Sequence, residues 1–240
     1  MRQDALILNM KKKSKKKETN RFLKVVRNVL VVLFLFSIGS VVLFRFVPVP
    51  FTPLMVRNYC AALFNDRKTE YHHTWVSYDE ISEHLKTAVV ASEDQLFYEH
   101  SGFDTRQIKK AIEERRSGKR KRGGSTISQQ TAKNVFTFCS RTWLRKGVEA
   151  YYTVLIELFW SKERILEVYL NSIEMGPGIY GAEAVAQEHF GCSAKQLTRK
   201  QSALIAATLP APHKFSSKNP SKYMRKRQQQ ILRQMKNMGK

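Results

Sequence analysis

Acidic side chains are scarce in this sequence: 20 Asp and Glu stand against 42 Lys and Arg, a formal net charge of +22 over 240 residues. That imbalance asks for an anionic partner, with nucleic acid, anionic lipid headgroups and an anionic substrate as the candidates. Cysteine is scarcer still. Cys60, Cys139 and Cys192 have no metal-ligand spacing, and an odd count argues against a disulfide framework. The expected state is three unpaired thiols buried as small apolar groups, with one bridge as the alternative. Alternating strand-like runs are few, internal repeats are missing, and neither GxGxxG nor a phosphate-loop pattern occurs. These absences argue against a parallel-sheet nucleotide fold. Wholesale disorder is also disfavoured, because a 42 % hydrophobic share supports a packed core. The length suits one good-sized domain with an appendage.

One long apolar run is present. NVLVVLFLFSIGSVVLF, Asn28–Phe44, carries no charge and follows the basic stretch KKKSKKKETNR, Lys11–Arg21. As a helix it spans roughly 26 Å, close to a bilayer core of about 30 Å. Lys24, Arg27 and Arg45 flank it and can snorkel to the headgroups. RFVPVPFTPLM, which follows, lacks a small-residue cleavage site, so a retained anchor is expected over a cleaved signal. The lysine cluster then stays in the cytoplasm and the rest of the chain lies outside. Most of the net charge falls after Arg27, so the tail alone does not account for it. The expected organisation is a basic tail (1–21), a transmembrane helix (22–46), a linker and juxtamembrane region (47–76) and a main domain (77–240).

The main domain reads as helix after helix. Ile81, Leu85, Ala88 and Val89 form a helical stripe, and Ile108 and Ile112 share a face in the next segment. RRSGKRKRGG, Arg115–Gly124, reads as a mobile loop. Thr126 with Gln129, Ser193 with Gln196 and Thr198 with Gln201 fit capping boxes. Ser161 caps a helix that Gly176-Pro177-Gly178 is expected to stop. GAEAVAQEHFG is a short helix ending at Gly191, and a last helix runs from Asn219-Pro220 to Gly239.

The candidate chemistry starts in SEDQLFYEHSGFD, where the apolar run TAVVA ends in Glu93 and Asp94. A carboxylate in apolar surroundings is either a junction between core and surface or an acid kept at a raised pKa. The two side chains point about 100° apart on a helix, so Asp94 is expected to orient a backbone or basic group. His100 reads as a ligand or base, or as a satisfied structural histidine, the latter preferred. Lys133, Arg141, Arg145 and Lys146 lie among aromatic residues in AKNVFTFCSRTWLRKGVE. Such a mixture suits phosphate plus apolar contact, either a nucleic acid or a lipid pyrophosphate at a membrane surface, or else is a solvated face with Phe136, Phe138 and Trp143 in the core. Glu149 begins a second apolar segment, which suggests paired acids of sugar chemistry or a carboxylate favoured near a helix start. Gly123-Gly124-Ser125-Thr126 either brings backbone N–H groups to an anion or simply caps a helix.

Taken together, EDQLFYEHSGFD, GGSTISQQTAKN, RKGVE and KERILEVYLNSIEMGPGIYGAEAVAQEHFG resemble the peptidoglycan glycosyltransferases, glycosyltransferase family 51, in order and spacing. The resemblance covers about Ser77 to Pro212, and RQQQILRQM near the C-terminus adds to it. The single anchor, with no room for a transpeptidase domain, resembles the family's monofunctional members.

The resemblance implies a mainly α, lysozyme-like domain with a small membrane-facing jaw. It implies polymerisation of lipid II into β-1,4 glycan strands with inversion and release of undecaprenyl pyrophosphate. The family's catalytic base falls on Glu93 and its second essential glutamate on Glu149. Its pyrophosphate and sugar contacts fall on Ser125, Gln129, Lys133 and Arg141, with Asp94, Phe97 and His100 in support. Some members carry a lysine or arginine before the glutamate that closes the third motif, where this chain has Ile156 before Glu157.

No metal site is assigned; a divalent cation, magnesium or manganese, accompanying the substrate pyrophosphate is left open. The implied partners are lipid II, the growing glycan strand, the membrane and other cell-wall or division proteins, without nucleic acid. The implied location is the bacterial inner membrane with the catalytic domain in the periplasm. Two rivals remain, a lysozyme-like hydrolase or lytic enzyme and, from charge alone, a membrane-anchored nucleic-acid-binding protein.

Overall fold

The computed structural model describes residues 2–64, 70–117, 124–137 and 142–238. Two compact units are present, residues 1–46 and residues 47–240. The first is helix α1, Arg2–Phe46. Within it, Asn20–Phe46 is 27 residues long and apolar enough to cross a membrane.

The second unit is built from helices around a very small sheet. Residues 47–76, expected as a linker and juxtamembrane region, contain α2 (Pro53–Phe64) and strand β1 (His72–His73). Pro53 stands at the first position of α2, where its missing N–H goes unused and its fixed φ suits the helix. The next helices are α3 (Glu83–Glu93), α4 (Thr105–Arg116), α5 (Ile127–Phe136), α6 (Trp143–Phe159) and α7 (Lys162–Ser172). Strands β2 (Glu174–Gly176) and β3 (Ile179–Tyr180) follow, then α8 (Ala182–Phe190), α9 (Arg199–Thr208) and α10 (Lys222–Met238).

The capping signals in the sequence set most of these boundaries. Thr126 and Thr198 each accept from the backbone N–H three residues on, and Gln129 and Gln201 return the bond. The Ser193–Gln196 box is present too, though it opens only a single 3-10 turn. Ser161 caps α7 and Gly191 ends α8 in the left-handed region. One expected boundary moves: α7 stops at Ser172, well before Gly176-Pro177-Gly178, which instead forms the turn between β2 and β3. The sheet order is β1-β3-β2, with β1 parallel and β2 antiparallel to β3. The loop read over Arg115–Gly124 falls largely outside the described residues, as do Phe138, Cys139, Arg141 and Gly239.

Helix α3 packs against α9 and α10, and α5 packs against α6 and α7. Burying Leu85, Val89, Ile127, Ile156, Ile165, Leu166 and Ile205 completely supplies the core of this arrangement. The described cysteines are unpaired as expected but neither is buried: Cys60 is a free, exposed thiol on α2, and Cys192 is free and half-buried. Cys60 stays outside the core because α2 presents that face to solvent.

Gly181 enters α8 at φ +86°, and a Cβ there would stand 2.8 Å from the Asn171 backbone oxygen. Backbone cannot yield as a side chain can, so Gly181→Ala is expected to lower unfolding stability by about 1–3 kcal/mol. Gly147, inside α6, has nothing within 4 Å of an added Cβ. Gly147→Ala should stabilise by up to about 1 kcal/mol through helix propensity. Chemical denaturation of both variants checks the opposite signs.

Candidate active site

Helix α3 ends on Glu93 with Asp94 as its C-cap, and the two acids have different fates. Asp94 is fully buried. Its carboxylate accepts the backbone N–H of Ile127 at 3.0 Å and faces His100 Nε2 at 3.0 Å. Ile127 N–H is one of the orphan donors at the start of α5, where the helix dipole also favours negative charge. His100 Nδ1 accepts from Gly102 N–H at 3.1 Å, so the imidazole proton lies on Nε2 and is donated to Asp94. Burial pushes the Asp94 carboxyl up, and His100, the Ile127 N–H and the Lys162 charge pull against it. His100 is thus a satisfied structural histidine, and Asp94 orients a backbone group and an imidazole.

Glu93 is half-buried and turned toward α5. Gln130 Nε2 donates to its Oε2 at 3.1 Å. Burial raises its pKa above the ordinary glutamate value. The Gln130 hydrogen bond, the Arg227 charge and Ser92 moderate the rise, and the Asp94 charge adds to it. Arg227 arrives from α10, with a guanidinium nitrogen 3.4 Å from Ser92 Oγ. Arg227 is the first residue of RQQQILRQM, so that stretch has a physical link to the acid.

Glu149 sits on α6 and is 2 % exposed. Arg145 donates to one of its oxygens at 2.6 Å and Lys146 to the other. Lys146 Nζ also lies 3.5 Å from Ser125 Oγ, just ahead of the α5 cap. Glu93 and Glu149 therefore attach to the same helix start, one through Gln130 and the other through Lys146 and Ser125. The cations that Glu149 holds are Arg145 and Lys146.

The remaining expected residues divide as follows. Gln129 is buried and closes the capping box, its amide oxygen accepting from Thr126 N–H at 3.0 Å. Its neighbour Gln130, not among the expected site residues, is the one that meets Glu93. Lys133 is exposed one turn beyond Gln130 on the same face of α5. Arg141 lies outside the described residues. Phe97 is fully buried, with Lys162 Nζ 4.7 Å from its ring centroid. Ile156 is fully buried, so that position carries packing and presents no cation.

A second polar chain supports the first. Lys162 donates to the His100 carbonyl at 2.6 Å and to Glu157 at 2.8 Å, and Ser128 Oγ donates to Glu157 at 2.5 Å. Gln130, Lys162 and Arg227 all lie in stretches that carry the family resemblance, but nothing in their spacing says which of them meets the acid. Their helix faces become known only once the partners are placed.

The aromatic residues also separate. Phe136, given like Trp143 either to the core or to an interface, stacks on Tyr152 with centroids 4.4 Å apart and belongs to the fold. Trp143, given either to the core or to an interface, is 92 % exposed at the start of α6. Leu144 and Leu158 on the same helix are 78 % and 72 % exposed. Among the described residues no group of three or more His, Cys, Asp or Glu side chains is placed to hold a metal ion. Asp94 and Glu149 already have hydrogen-bond and ionic partners, so a divalent cation finds no ready ligand set there.

A family model described as Transglycosylase matches residues 61–236. A protein of Bacteroides thetaiotaomicron named Biosynthetic peptidoglycan transglycosylase is 57 % identical over 215 residues, covering 90 % of this chain and 87 % of that relative. One of the same name from Bdellovibrio bacteriovorus is 51 % identical over 199 residues, covering 83 % and 80 %. Another, from Pseudomonas entomophila, is 49 % identical over 203 residues, covering 85 % and 86 %.

Removing the Glu149 carboxylate leaves Arg145 and Lys146 side by side without their anion. Glu149→Ala is expected to lower stability by about 1.5–3 kcal/mol, the range for hydrogen bonds to charged groups. Lys146→Ala, which keeps the Arg145 pair, should cost less. Denaturation midpoints of the two variants test the order.

Proposed function

The chain belongs to the transglycosylase family, and on that premise we propose that it polymerises lipid II into β-1,4 glycan strands, with inversion and release of undecaprenyl pyrophosphate. The observation that carries this reading is Glu93. It is an acid whose pKa burial raises, at the mouth of a helix whose exposed face carries Lys133.

Inversion requires the acceptor sugar's 4-hydroxyl to enter opposite the departing pyrophosphate. Glu93 takes the hydroxyl proton, the new bond forms from that oxygen to the donor C1, and the bond from C1 to the pyrophosphate oxygen breaks. In inverting hydrolases two carboxyl groups stand about 6.5–9.5 Å apart to admit a water. Here the sugar hydroxyl takes the water's place. A raised pKa brings the base nearer working pH, which strengthens general-base catalysis.

The leaving group is already a stable anion and needs positive charge more than a proton donor. Lys133 and Arg141 serve that need in this reading, and Ser125 and Gln129 supply further substrate contacts. Because the Gln129 amide oxygen is engaged in the cap, its contribution to substrate comes from the amide nitrogen. The Arg145–Glu149–Lys146 group sets the field next to Ser125. Any divalent cation would travel on the substrate's phosphate oxygens.

The substrate's lipid tail explains the membrane features. The candidate span Asn20–Phe46 fits a membrane-anchored protein. In this reading the anchor lies in the bacterial inner membrane, the basic tail in the cytoplasm and residues 47–240 on the periplasmic side. Trp143, Leu144 and Leu158 on α6 then meet the bilayer interface, where a tryptophan ring is favoured.

Two measurements test the reading. Glu93→Gln should reduce lipid II polymerisation by about 10²–10⁴-fold, the usual worth of general-base help. The same variant should be more stable than the parent at neutral pH. A raised folded-state pKa gives stability that is present below the unfolded value and lost as pH rises through the folded one, and the amide does not ionise. Near-normal polymerisation by Glu93→Gln removes the base assignment, and fragment release from purified glycan in place of polymer growth points to a hydrolase. Separately, in vesicles of brominated lipid, tryptophan fluorescence should be quenched more in the full chain than in its Trp143→Phe variant. Equal quenching takes Trp143 off the membrane.

A further inference from the structure

We propose that Tyr169 is a positioning residue for the reaction: its hydroxyl fixes the Gln130 amide, and the amide fixes the Glu93 carboxylate. The inference rests on the reading of Glu93 as the base.

Tyr169 lies on α7 and is fully buried. A buried phenol hydroxyl requires a partner. Its oxygen is 3.2 Å from Gln130 Oε1, and Gln130 Nε2 is 3.1 Å from Glu93 Oε2. Three side chains from α7, α5 and α3 thus form one relay that ends on the acid.

Chemistry fixes the direction of the relay. An ionised carboxylate only accepts, so the amide must turn its NH2 toward Glu93. That leaves the amide oxygen facing Tyr169, and a phenol can donate to it. Burial, with the Glu93 and Asp94 charges behind it, holds the phenol in its protonated, donating form. Each group has one orientation that satisfies all three. Gln129, one residue away, is fixed by its own cap, so the adjacent glutamines hold two different structures in place.

Removing the Tyr169 hydroxyl leaves the Gln130 oxygen without its donor and frees the amide to turn over. The flipped amide presents oxygen to the Glu93 carboxylate and disfavours its charged form. The other groups acting on Glu93 are Asp94 on the adjoining residue, Ser92, and Arg227 from α10. None of them replaces the lost orientation, because none contacts the amide.

The test uses the full chain in detergent micelles. Tyr169→Phe should lower kcat for lipid II polymerisation by roughly 3–10-fold, consistent with one net hydrogen bond, with KM changed less than about twofold. The acid limb of the kcat/KM profile should move to higher pH, because a base that loses a donor ionises later. Gln130→Ala should move the limb the same way, and the double variant should move it no further than Gln130→Ala alone. The Glu93 carboxyl, followed by 13C NMR and identified by its loss in Glu93→Gln, should shift its titration upward in both single variants without any substrate.

A lower melting temperature with an unmoved limb and an unmoved titration makes Tyr169 merely structural and overturns the proposal. Should Tyr169→Phe fail to fold, Gln130→Ala decides alone, and an unmoved Glu93 titration there overturns it. A moved titration in a protein that polymerises nothing supports the relay and refutes the functional reading, so the two failures are distinct.

Discussion

A carboxylate with no access to water must find its partners inside the protein, and Asp94 organises the junction of α3 and α5 by doing so. Burying an unpartnered charge is costly, so the chain around Asp94 has little freedom. One partner is the first N–H of α5, and the other is an imidazole held by its own turn. Those two bonds fasten the end of α3 to the beginning of α5 and set the EHSG turn between them. Gly102, at φ +87°, makes the turn possible, because a Cβ there would stand 2.8 Å from Thr153 Cγ2. The Thr126 hydroxyl closes the same corner by donating to the Gly102 carbonyl at 2.7 Å. With the corner fixed, Glu93 has one direction left, toward the face of α5 that carries Gln130.

The two glutamates illustrate how environment divides labour between like side chains. Glu149 is more deeply buried than Glu93, yet two cations from its own helix neutralise it. Glu93 receives an amide and the field of one arginine on a neighbouring helix, too little to offset burial. The proposed division, Glu93 as base and Glu149 as the anion between two cations, rests on that difference in partners.

What was legible in the sequence was what depends on neighbours along the chain. Thr126 and Gln129 are three residues apart, and their box reads directly from the letters and from the local geometry of a helix start. The orienting role of Asp94 followed from the angle between adjacent helix positions. The short strands did not show, because two- and three-residue strands carry no alternation to detect. Helix α2 was hidden by the proline-rich stretch before it, since Pro53 marks its start as readily as it marks a linker. The choice between Gln129 and Gln130 was not legible at all. Both are polar and adjacent, and only the position of α3 and α7 decides which one meets Glu93. Arg227 lies 134 positions from Glu93 in the chain, so its influence depends wholly on how α10 packs against α3.

Helix α6 joins the two halves of the proposed chemistry. Leu144, Tyr151 and Leu158 recur every seven residues and stay exposed, while Glu149, Thr153 and Ile156 turn inward. A seven-residue repeat drifts only about 20° on an α-helix, so the exposed apolar residues form one line. Arg145 and Lys146 begin the same helix beside Ser125. A lipid-linked diphosphate has the same two-part character, an apolar chain joined to a compact anion. In the proposed reading the apolar line of α6 meets the bilayer surface and so the lipid part of the substrate, while Arg145 and Lys146, already paired with Glu149, keep the start of the helix in place beside Ser125.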